Sequence, residues 1–288
     1  EIDVFANSRP KAKVIGVTGT NGKSTSSALL SHIINLYGFK AILGGNIGKA
    51  ATSIEDPGKN GFIILELSSF QLETCNDLQL DGAILLNITP DHLDWHGSLD
   101  KYFNSKLKIG NFLKKGAPLV VSNTNDLTKK ACKFFKNNKT KVIEISKNEI
   151  SNFQTKFKDD YFNENQLTVI KLLKEIGVIE KNYIEPIRSF KGLPHRLEFF
   201  KKTGKIIFVN DSKATNAEAT INALSKYKNI LWIAGGIAKT EGITPTLQYL
   251  KNVKKCYLIG NSRKEFFDTL NSKISCDILN NLESALKQ

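Results

Sequence analysis

Short apolar runs alternate with amphipathic stretches throughout the chain. The runs are mostly apolar on both faces, which is typical of parallel strands buried between two layers of helices. They occupy residues 14–17, 62–67, 83–88, 118–121 and 142–145. The stretches with helical spacing occupy residues 26–37, 99–113, 127–137 and 166–176. This alternation predicts an α/β fold with an open, mostly parallel sheet and right-handed crossovers.

The same alternation starts again after a segment rich in turn-forming residues. Residues 181–194 contain two prolines and a glycine and show little periodicity, so they are a candidate linker. Beyond them we predict strands at 197–200, 206–209, 230–234 and 256–259 and a helix at 217–226. We therefore expect a first domain over 1–191, with a linker at about 181–191, and a second, Rossmann-like α/β domain over 192–288.

A candidate phosphate-binding loop follows the first predicted strand. Residues 16–25 read Gly-Val-Thr-Gly-Thr-Asn-Gly-Lys-Ser-Thr. Glycines in such a loop let backbone N–H groups approach phosphate oxygens at the positive end of a helix. Lys23 would reach the outer phosphates and Ser24 would ligate Mg²⁺, although the usual spacing has glycine where this chain has Val17. The loop predicts an ATP or GTP site; the alternative is a glycine-rich turn that binds nothing.

Two further polar clusters follow predicted strands, where open α/β sheets bind their ligands. The first, residues 66–73, reads Glu-Leu-Ser-Ser-Phe-Gln-Leu-Glu. Its Glu66 is a candidate partner of Ser24 on Mg²⁺, because hard cations prefer oxygen ligands. The same string also predicts a helix cap at Ser68, and both interpretations can hold together.

The second cluster, residues 87–96, reads Asn-Ile-Thr-Pro-Asp-His-Leu-Asp-Trp-His. Several side chains of types that bind metals or accept protons lie close together in this segment, directly after a predicted buried strand. We predict a metal or phosphate role for His92, ahead of Asp94 and His96.

The second predicted domain carries cationic turns after its strands. Arg196 follows Gly-Leu-Pro-His, and Lys213 lies in the string Asn-Asp-Ser-Lys-Ala-Thr-Asn at 210–216. These two cations are candidates for clamping a transferring phosphoryl group, and Lys239 adds a further cation. Each alone is typical of a structural turn, but their recurrence after strands favours function.

Composition restricts the possible classes of protein. Apolar residues make up 41% and charged residues 24% of the chain, which is ordinary for a globular protein. No apolar run is long enough for a membrane span, and the four cysteines form no CxxC pair, so we expect neither a zinc site nor disulfides. We expect a cytoplasmic protein without membrane insertion.

The net charge of +13 raises the question of a nucleic-acid partner. Nearly all of the excess is lysine, with only four arginines, whereas sequence-specific readers rely on arginine for bidentate contacts. The lysines are dispersed without interleaved aromatic residues, so a solvated surface is favoured. We expect no nucleic-acid partner, and a P-loop ATPase acting on nucleic acid stays as an alternative.

Taken together, the motifs resemble those of the Mur ligases, ATP-dependent amide-forming enzymes of peptidoglycan synthesis. The matching segments, in the family's order, are 19–25, 44–48, 66–73, 91–94, 105–107, 192–196 and 210–216. The residues at 66–73 resemble the corresponding motif of the Mur ligases that add D-glutamate to UDP-N-acetylmuramoyl-L-alanine. The alternative is a sister Mur ligase or a folylpolyglutamate ligase. The resemblance implies a monomer made of the central ATP-binding domain and an incomplete C-terminal domain, without the UDP-binding N-terminal domain.

The resemblance also implies roles for single residues. ATP is held by Gly19, Thr20, Asn21, Gly22, Lys23, Ser24 and Thr25. Two Mg²⁺ ions are implied, one on Ser24 and Glu66 and one on His92 and Lys106, with Lys106 N-carboxylated so that it offers oxygen ligands. The implied catalytic residues are Lys23, His92, Lys106 and Lys213.

Other implied contacts concern the rest of the nucleotide and the two substrates. Asn165 approaches the adenine, and Arg196, Asp211 and Lys213 close over the nucleotide. Asn46 and Ser68 contact the muramoyl-alanine part, and Thr215 and Lys239 face D-glutamate. One departure is that the family's usual His-Asn pair before Asn165 is replaced by Tyr161-Phe162.

Overall fold

The computed structural model describes residues 1–154, 163–179, 182–239 and 242–288. They form two compact units, Glu1–Leu193 and Pro194–Gln288. None of the helices among these residues combines the length and apolar character that a membrane crossing requires.

The first unit is built on a parallel sheet, to which its described residues contribute six strands. These are β1 (Lys13–Thr18), β2 (Ala41–Gly45), β3 (Phe62–Glu66), β4 (Gly82–Leu85), β5 (Pro118–Ser122) and β6 (Lys141–Ile145). Their order across the sheet is β2-β3-β1-β4-β5-β6, and every neighbouring pair is parallel. The chain crosses from one side of β1 to the other between β3 and β4. Ligands bind at the carboxyl ends of strands at such a switch point.

Helices cover both faces of this sheet. They are α1 (Ile2–Asn7), α2 (Lys23–Leu36), α3 (Ser69–Thr74), α4 (Leu93–His96), α5 (Leu99–Leu107), α6 (Asp126–Asn137), α7 (Lys147–Gln154), α8 (Asn163–Glu175) and α9 (Ile184–Arg188). Short 3-10 helices span Ala51–Ser53 and Lys108–Phe112. Successive residues of β1 enter opposite cores, since Val14 packs in one and Ile15 in the other. Burial on both faces confirms the prediction made from the two-sided apolar runs.

Several predicted boundaries differ from the observed elements. β2 was not predicted, because it is a half-buried edge strand whose closing glycines imitate a turn. The helix predicted over 99–113 is α5 followed by a 3-10 turn. The segment interpreted as a linker contains α9, where Pro186 is tolerated because it lies in the first turn.

The second unit has two separate sheets among its described residues. Strands β9 (Ile230–Gly235), β10 (Val253–Ile259) and β11 (Ser275–Ile278) are parallel, in the order β11-β10-β9. Strands β7 (Glu198–Thr203) and β8 (Ile206–Asn210) pair with each other, antiparallel. The helices are α10 (Ala217–Lys226), α11 (Arg263–Leu270) and α12 (Leu282–Leu286), with a 3-10 helix over Thr244–Asn252.

The first two predicted strands of this unit therefore exist but form a hairpin rather than part of the parallel sheet. Only Gly204 and Lys205 separate them, and a connection that short joins antiparallel neighbours. Neither β11 nor α11 was predicted.

Candidate active site

The phosphate-binding loop is shorter than the usual spacing predicts, because β1 continues to Thr18. Val17 is a fully buried residue of this strand, so its position does not require the glycine of the usual motif. Gly16 also lies in β1, where a Cβ atom would come within 2.8 Å of Leu80 Cδ1. The loop itself therefore consists of residues 19–22.

The loop leads directly into α2, and in the described structure no side chain caps the start of this helix. The N-cap residue is Gly22, whose φ of 86° lies in the left-handed region that favours glycine. The first N–H groups of α2 lie at the positive end of the helix dipole. An uncapped helix start of this kind is a ready-made anion site.

Two lysines converge on this loop. Lys23 donates hydrogen bonds from Nζ to the carbonyl oxygens of Gly19 (2.9 Å) and Thr20 (2.8 Å). Lys106, at the end of α5, donates from Nζ to the same Gly19 oxygen at 2.9 Å. Its Nζ also lies 4.7 Å from the centre of the Tyr102 ring. The loop backbone thus joins residues that are far apart in sequence.

The environment of Lys106 favours its neutral amine. The side chain is only 1% exposed. This burial, and after it the charge of Lys23, lowers the pKa of Lys106 well below its usual value, while Asp91 and Glu66 act in the opposite direction. A neutral amine is a nucleophile, whereas an ammonium ion is not.

Glu66 provides a second buried charge at this edge of the sheet. It ends β3 and is 2% exposed. Its Oε1 accepts a hydrogen bond from Asn46 Nδ2 at 2.9 Å. Its Oε2 is buried and has no hydrogen-bond partner in the described residues. A buried carboxylate oxygen left unpaired is costly, and a cation bound there would satisfy it.

This chemistry fits Mg²⁺. The hydroxyl-bearing Ser24 is buried at the first turn of α2, as the proposed ligand set requires. Among the residues that the structure describes, no group of three or more His, Cys, Asp or Glu side chains is arranged to hold a metal ion. Any Mg²⁺ site therefore draws on other oxygen donors, such as a hydroxyl or the substrate.

His92 is connected to the Lys106 region through contacts between aromatic rings. It precedes α4 with a left-handed φ of 54°, and its Nε2 is 3.6 Å from Asp91 Oδ2. Its ring centre lies 5.0 Å from that of Phe70 and 6.5 Å from that of Tyr102. Tyr102 is therefore a common neighbour of His92 and Lys106. A non-glycine residue held at positive φ is typical of functional positions.

Ser68 and His96 have clear structural partners. Ser68 and Gln71 form a reciprocal capping box at the start of α3, as one of the two interpretations predicted. His96 is buried, with Nε2 2.9 Å from Ser69 Oγ and its ring stacked on Phe70. Burial lowers the pKa of His96. These contacts give His96 a packing role, and Asp94 is exposed.

Asn165, the candidate adenine contact, lies over the phosphate loop. Its Nδ2 donates to the Gly22 carbonyl oxygen at 3.4 Å, and a Cβ atom on Gly22 would come within 2.6 Å of that nitrogen. The substituted pair Tyr161-Phe162 lies outside the described residues.

Asp211 lies in the same turn region as two of the candidate cationic residues of the second unit. The Leu197 N–H donates to Asp211 Oδ1 at 2.9 Å. Burial raises the pKa of Asp211, against the effects of this bond and of the Arg196 charge. The Lys213 N–H donates to the His195 carbonyl oxygen at 3.1 Å. Arg196, Asp211 and Lys213 thus share one turn region, while Thr215 is exposed nearby in sequence and Lys239 follows β9.

Two residues of the first unit were not singled out from the sequence. Tyr102 places its hydroxyl 2.9 Å from Thr20 Oγ1, and burial raises its pKa. Asn87 holds the backbone of Asn21 through its side chain. The only sequence signal for Asn87 is that it is the first polar residue after an apolar run. Tyr102 is one aromatic residue in an amphipathic stretch, and nothing in the sequence distinguishes it.

Comparisons with known proteins agree with this geometry. The Mur ligase middle domain matches residues 17–183. A UDP-N-acetylmuramoylalanine–D-glutamate ligase of Rhizobium meliloti is 34% identical over 99% of this chain and 67% of its own length. The enzyme of that name from Rickettsia prowazekii is 35% identical, over 99% and 68% respectively.

A solved structure extends the likeness to the fold. The MurF ligase of Thermotoga maritima, in complex with ADP, matches with a TM-score of 0.68 and 15% identity, over 99% of this chain and 81% of that one. The phosphate loop, the shared strand-end site and these matches lead to one conclusion: the chain belongs to the Mur ligase family.

Proposed function

We propose that this protein is an ATP-dependent ligase that adds D-glutamate to UDP-N-acetylmuramoyl-L-alanine. The geometric observation that carries the proposal is the uncapped start of α2, with Lys23 and Lys106 meeting at the Gly19 carbonyl. The identity of the amino acid is supported by relatives of that name and by the string at 66–73. In this proposal the first unit is the central ATP-binding domain and the second is the C-terminal domain.

The loop residues would bind the phosphates of ATP. The N–H groups at the start of α2 and the Lys23 ammonium offer donors and positive charge to the β- and γ-phosphates. Ser24 and Glu66 would hold one Mg²⁺, and His92 and a carboxylated Lys106 a second. Bound Mg²⁺ neutralises charge on the phosphoryl oxygens. Asn165 would then lie beside the nucleotide, since it already contacts Gly22.

Carboxylation would start from the neutral amine of Lys106, which the lowered pKa makes easier to reach. The nitrogen lone pair attacks the carbon of CO₂, a new N–C bond forms while one C=O π bond opens onto oxygen, and one amine proton leaves to solvent. The product is a carbamate with one negative charge. It would replace an amine by two oxygen donors in a site that already contains Lys23.

The reaction requires an activated carboxylate, because a carboxylate anion is a poor electrophile. The γ-phosphoryl group passes from ATP to the alanyl carboxylate, which gives an acyl phosphate and ADP. The neutral amine of D-glutamate attacks the acyl carbon and the C–O bond to phosphate breaks. The amide forms as the amine loses one proton, which the departing inorganic phosphate takes up. Asn46 and Ser68 would orient the muramoyl-alanine, Arg196, Asp211 and Lys213 would enclose the nucleotide, and Thr215 and Lys239 would receive D-glutamate.

The experiment that separates this function from its alternatives measures ADP release with UDP-N-acetylmuramoyl-L-alanine and a panel of amino acids. We expect release with D-glutamate and none with L-lysine or diaminopimelate. Release only with diaminopimelate or L-lysine, in a parallel assay on the next precursor that already carries D-glutamate, would instead identify a sister ligase. Stimulation by single-stranded nucleic acid, without dependence on an amino acid, would favour the P-loop ATPase alternative.

A further inference from the structure

Asn87 binds the phosphate loop through both ends of its side-chain amide. It is the second residue after β4, and its Oδ1 accepts a hydrogen bond from the Asn21 N–H at 2.8 Å. Its Nδ2 donates to the Asn21 carbonyl oxygen at 3.0 Å. Its own carbonyl oxygen accepts from the Thr20 N–H at 2.8 Å. Three hydrogen bonds therefore connect one residue to two successive loop residues.

These bonds fix the orientation of two peptide groups. The Asn21 N–H belongs to the peptide that follows Thr20, and the carbonyl of that peptide accepts from Lys23 Nζ on the other side. The Asn21 carbonyl belongs to the peptide that contains the Gly22 N–H. Because a trans peptide places its N–H and C=O on opposite sides, the Gly22 N–H points away from Asn87.

The loop also lies directly against the end of β4. A Cβ atom on Gly19 would come within 2.9 Å of Leu86 Cβ and 3.3 Å of the Asn87 nitrogen. Two residues further, the Thr89 N–H donates to Thr20 Oγ1 at 3.0 Å, and Thr20 Oγ1 donates to the Thr89 carbonyl oxygen at 3.1 Å. The segment that leads to Asp91 and His92 is thus joined to the loop at several points.

We propose that Asn87 is a positioning residue for nucleotide binding: it acts through Asn21 to hold the phosphate loop open in its binding conformation. This inference rests on the proposed function, since it assumes that the loop receives ATP phosphates. Asn87 touches neither substrate nor cofactor in this scheme. Its contribution is to remove the loop's conformational freedom before the ligand arrives, so that binding does not have to order these peptides.

The matched control is Asn35, which makes the same kind of two-way contact elsewhere. Asn35 Oδ1 accepts from the Ala41 N–H at 3.1 Å, and its Nδ2 donates to the Ser31 carbonyl oxygen at 2.7 Å. It lies near the C-terminal end of α2, whereas the phosphate loop precedes that helix. Asn35→Ala thus removes an equivalent pair of bonds without touching the phosphate loop.

The experiment compares Mg²⁺-ATP affinity by titration calorimetry in the wild type, Asn87→Ala and Asn35→Ala. Loss of the loop contacts is expected to weaken ATP binding about tenfold in Asn87→Ala, with the same rise in KM for ATP and an unchanged KM for D-glutamate. Asn35→Ala is expected to lower thermal stability and leave ATP affinity unchanged. Equal ATP affinities of Asn87→Ala and the wild type would overturn the inference.

Amide hydrogen exchange provides a readout that needs no nucleotide. In Asn87→Ala the Asn21 amide should lose protection, while the Thr20 amide keeps its bond to the backbone of residue 87. Asn87→Asp retains an acceptor, so the Asn21 amide should stay protected although the Asn21 carbonyl loses its donor. An Asn21 amide that stays protected in Asn87→Ala contradicts the inference.

The outcomes also separate the inference from the proposed function. A wild type that does not bind ATP contradicts the proposed function and with it the inference about nucleotide binding, whatever the exchange shows. If Asn87→Ala does not fold, Asn87→Ser decides, because its short side chain removes the amide contacts without adding charge. Weakened ATP binding with an unprotected Asn21 amide supports the inference, and unchanged ATP binding overturns it.

Discussion

Lys23 and Lys106 donate hydrogen bonds to the same acceptor, the carbonyl oxygen of Gly19, each at a distance of 2.9 Å. Two ammonium ions this close repel each other, and Lys106 is the more buried of the two. Burial, and after it the charge of Lys23, lowers the pKa of Lys106. In the proposed function Lys23 is the cation that binds phosphate, and Lys106 is the amine that reacts with CO₂.

Lys23→Ala is expected to reduce ATP turnover by about 10²-fold or more, because in the proposed function it removes the cation that would face the transferred phosphoryl group. The fold should persist, since Lys23 is not part of the apolar core. Lys129→Ala, on the exposed side of α6, is the control and should keep wild-type turnover. Steady-state ADP release with circular dichroism tests both points, and near-normal turnover in folded Lys23→Ala would contradict the ATP site.

Lys106→Ala is expected to abolish ligation, and a small carboxylic acid or bicarbonate should restore part of it by supplying the missing oxygen donors. Lys106→Arg should be equally inactive but not rescued, because a guanidinium neither reacts with CO₂ nor leaves room for the added acid. A carbamate signal at Lys106 with ¹³C-labelled CO₂ would show the modification directly. Full activity of Lys106→Ala would exclude the assignment.

Glu66→Gln tests two effects of the buried carboxylate separately: its destabilisation of the fold and its proposed binding of Mg²⁺. The amide retains an oxygen that can accept from Asn46, but it removes the charge whose Oε2 has no partner in the described structure. Without Mg²⁺, the variant should unfold at a temperature about 2–4 °C higher, which corresponds to about 1 kcal/mol. Ligation should fall about 10²-fold and require more Mg²⁺. A variant with wild-type Mg²⁺ dependence would place the metal elsewhere.

The sheet was largely predictable from the sequence, whereas the shared contact of Lys23 and Lys106 with the Gly19 carbonyl oxygen was not. Fully buried strands such as β1 and β5 produce apolar runs that are visible locally. The contact between Lys106 and Gly19 joins positions on α5 and the loop after β1, so only the folded sheet order brings them together. The carboxyl ends of β1 and β4 are adjacent for the same reason, and this adjacency gives Asn87 its role. The hairpin of β7 and β8 was misassigned because its apolar strands have the composition of buried parallel ones.

A pH-dependent stability is expected from Asp3, a residue without a role in the proposed chemistry. Its carboxylate accepts from the N–H groups of Asp77 and Asn76, and these bonds lower the pKa of Asp3 from 3.8 to about 2. A lowered pKa stabilises the fold above pH 3.8, and this contribution is lost as the pH falls toward 2. Asp3→Asn should therefore unfold at lower urea concentration at neutral pH, by a margin that shrinks below pH 3.8.

The most direct test of the account follows oxygen atoms through the reaction. UDP-N-acetylmuramoyl-L-alanine labelled with ¹⁸O in its alanyl carboxylate is incubated with ATP, Mg²⁺, D-glutamate and the protein, and the released phosphate is analysed by mass spectrometry. Transfer of the γ-phosphoryl group to that carboxylate predicts that each released phosphate carries one labelled oxygen and appears only when D-glutamate is present. Unlabelled phosphate, or labelled phosphate formed with another amino acid and not with D-glutamate, would contradict the account.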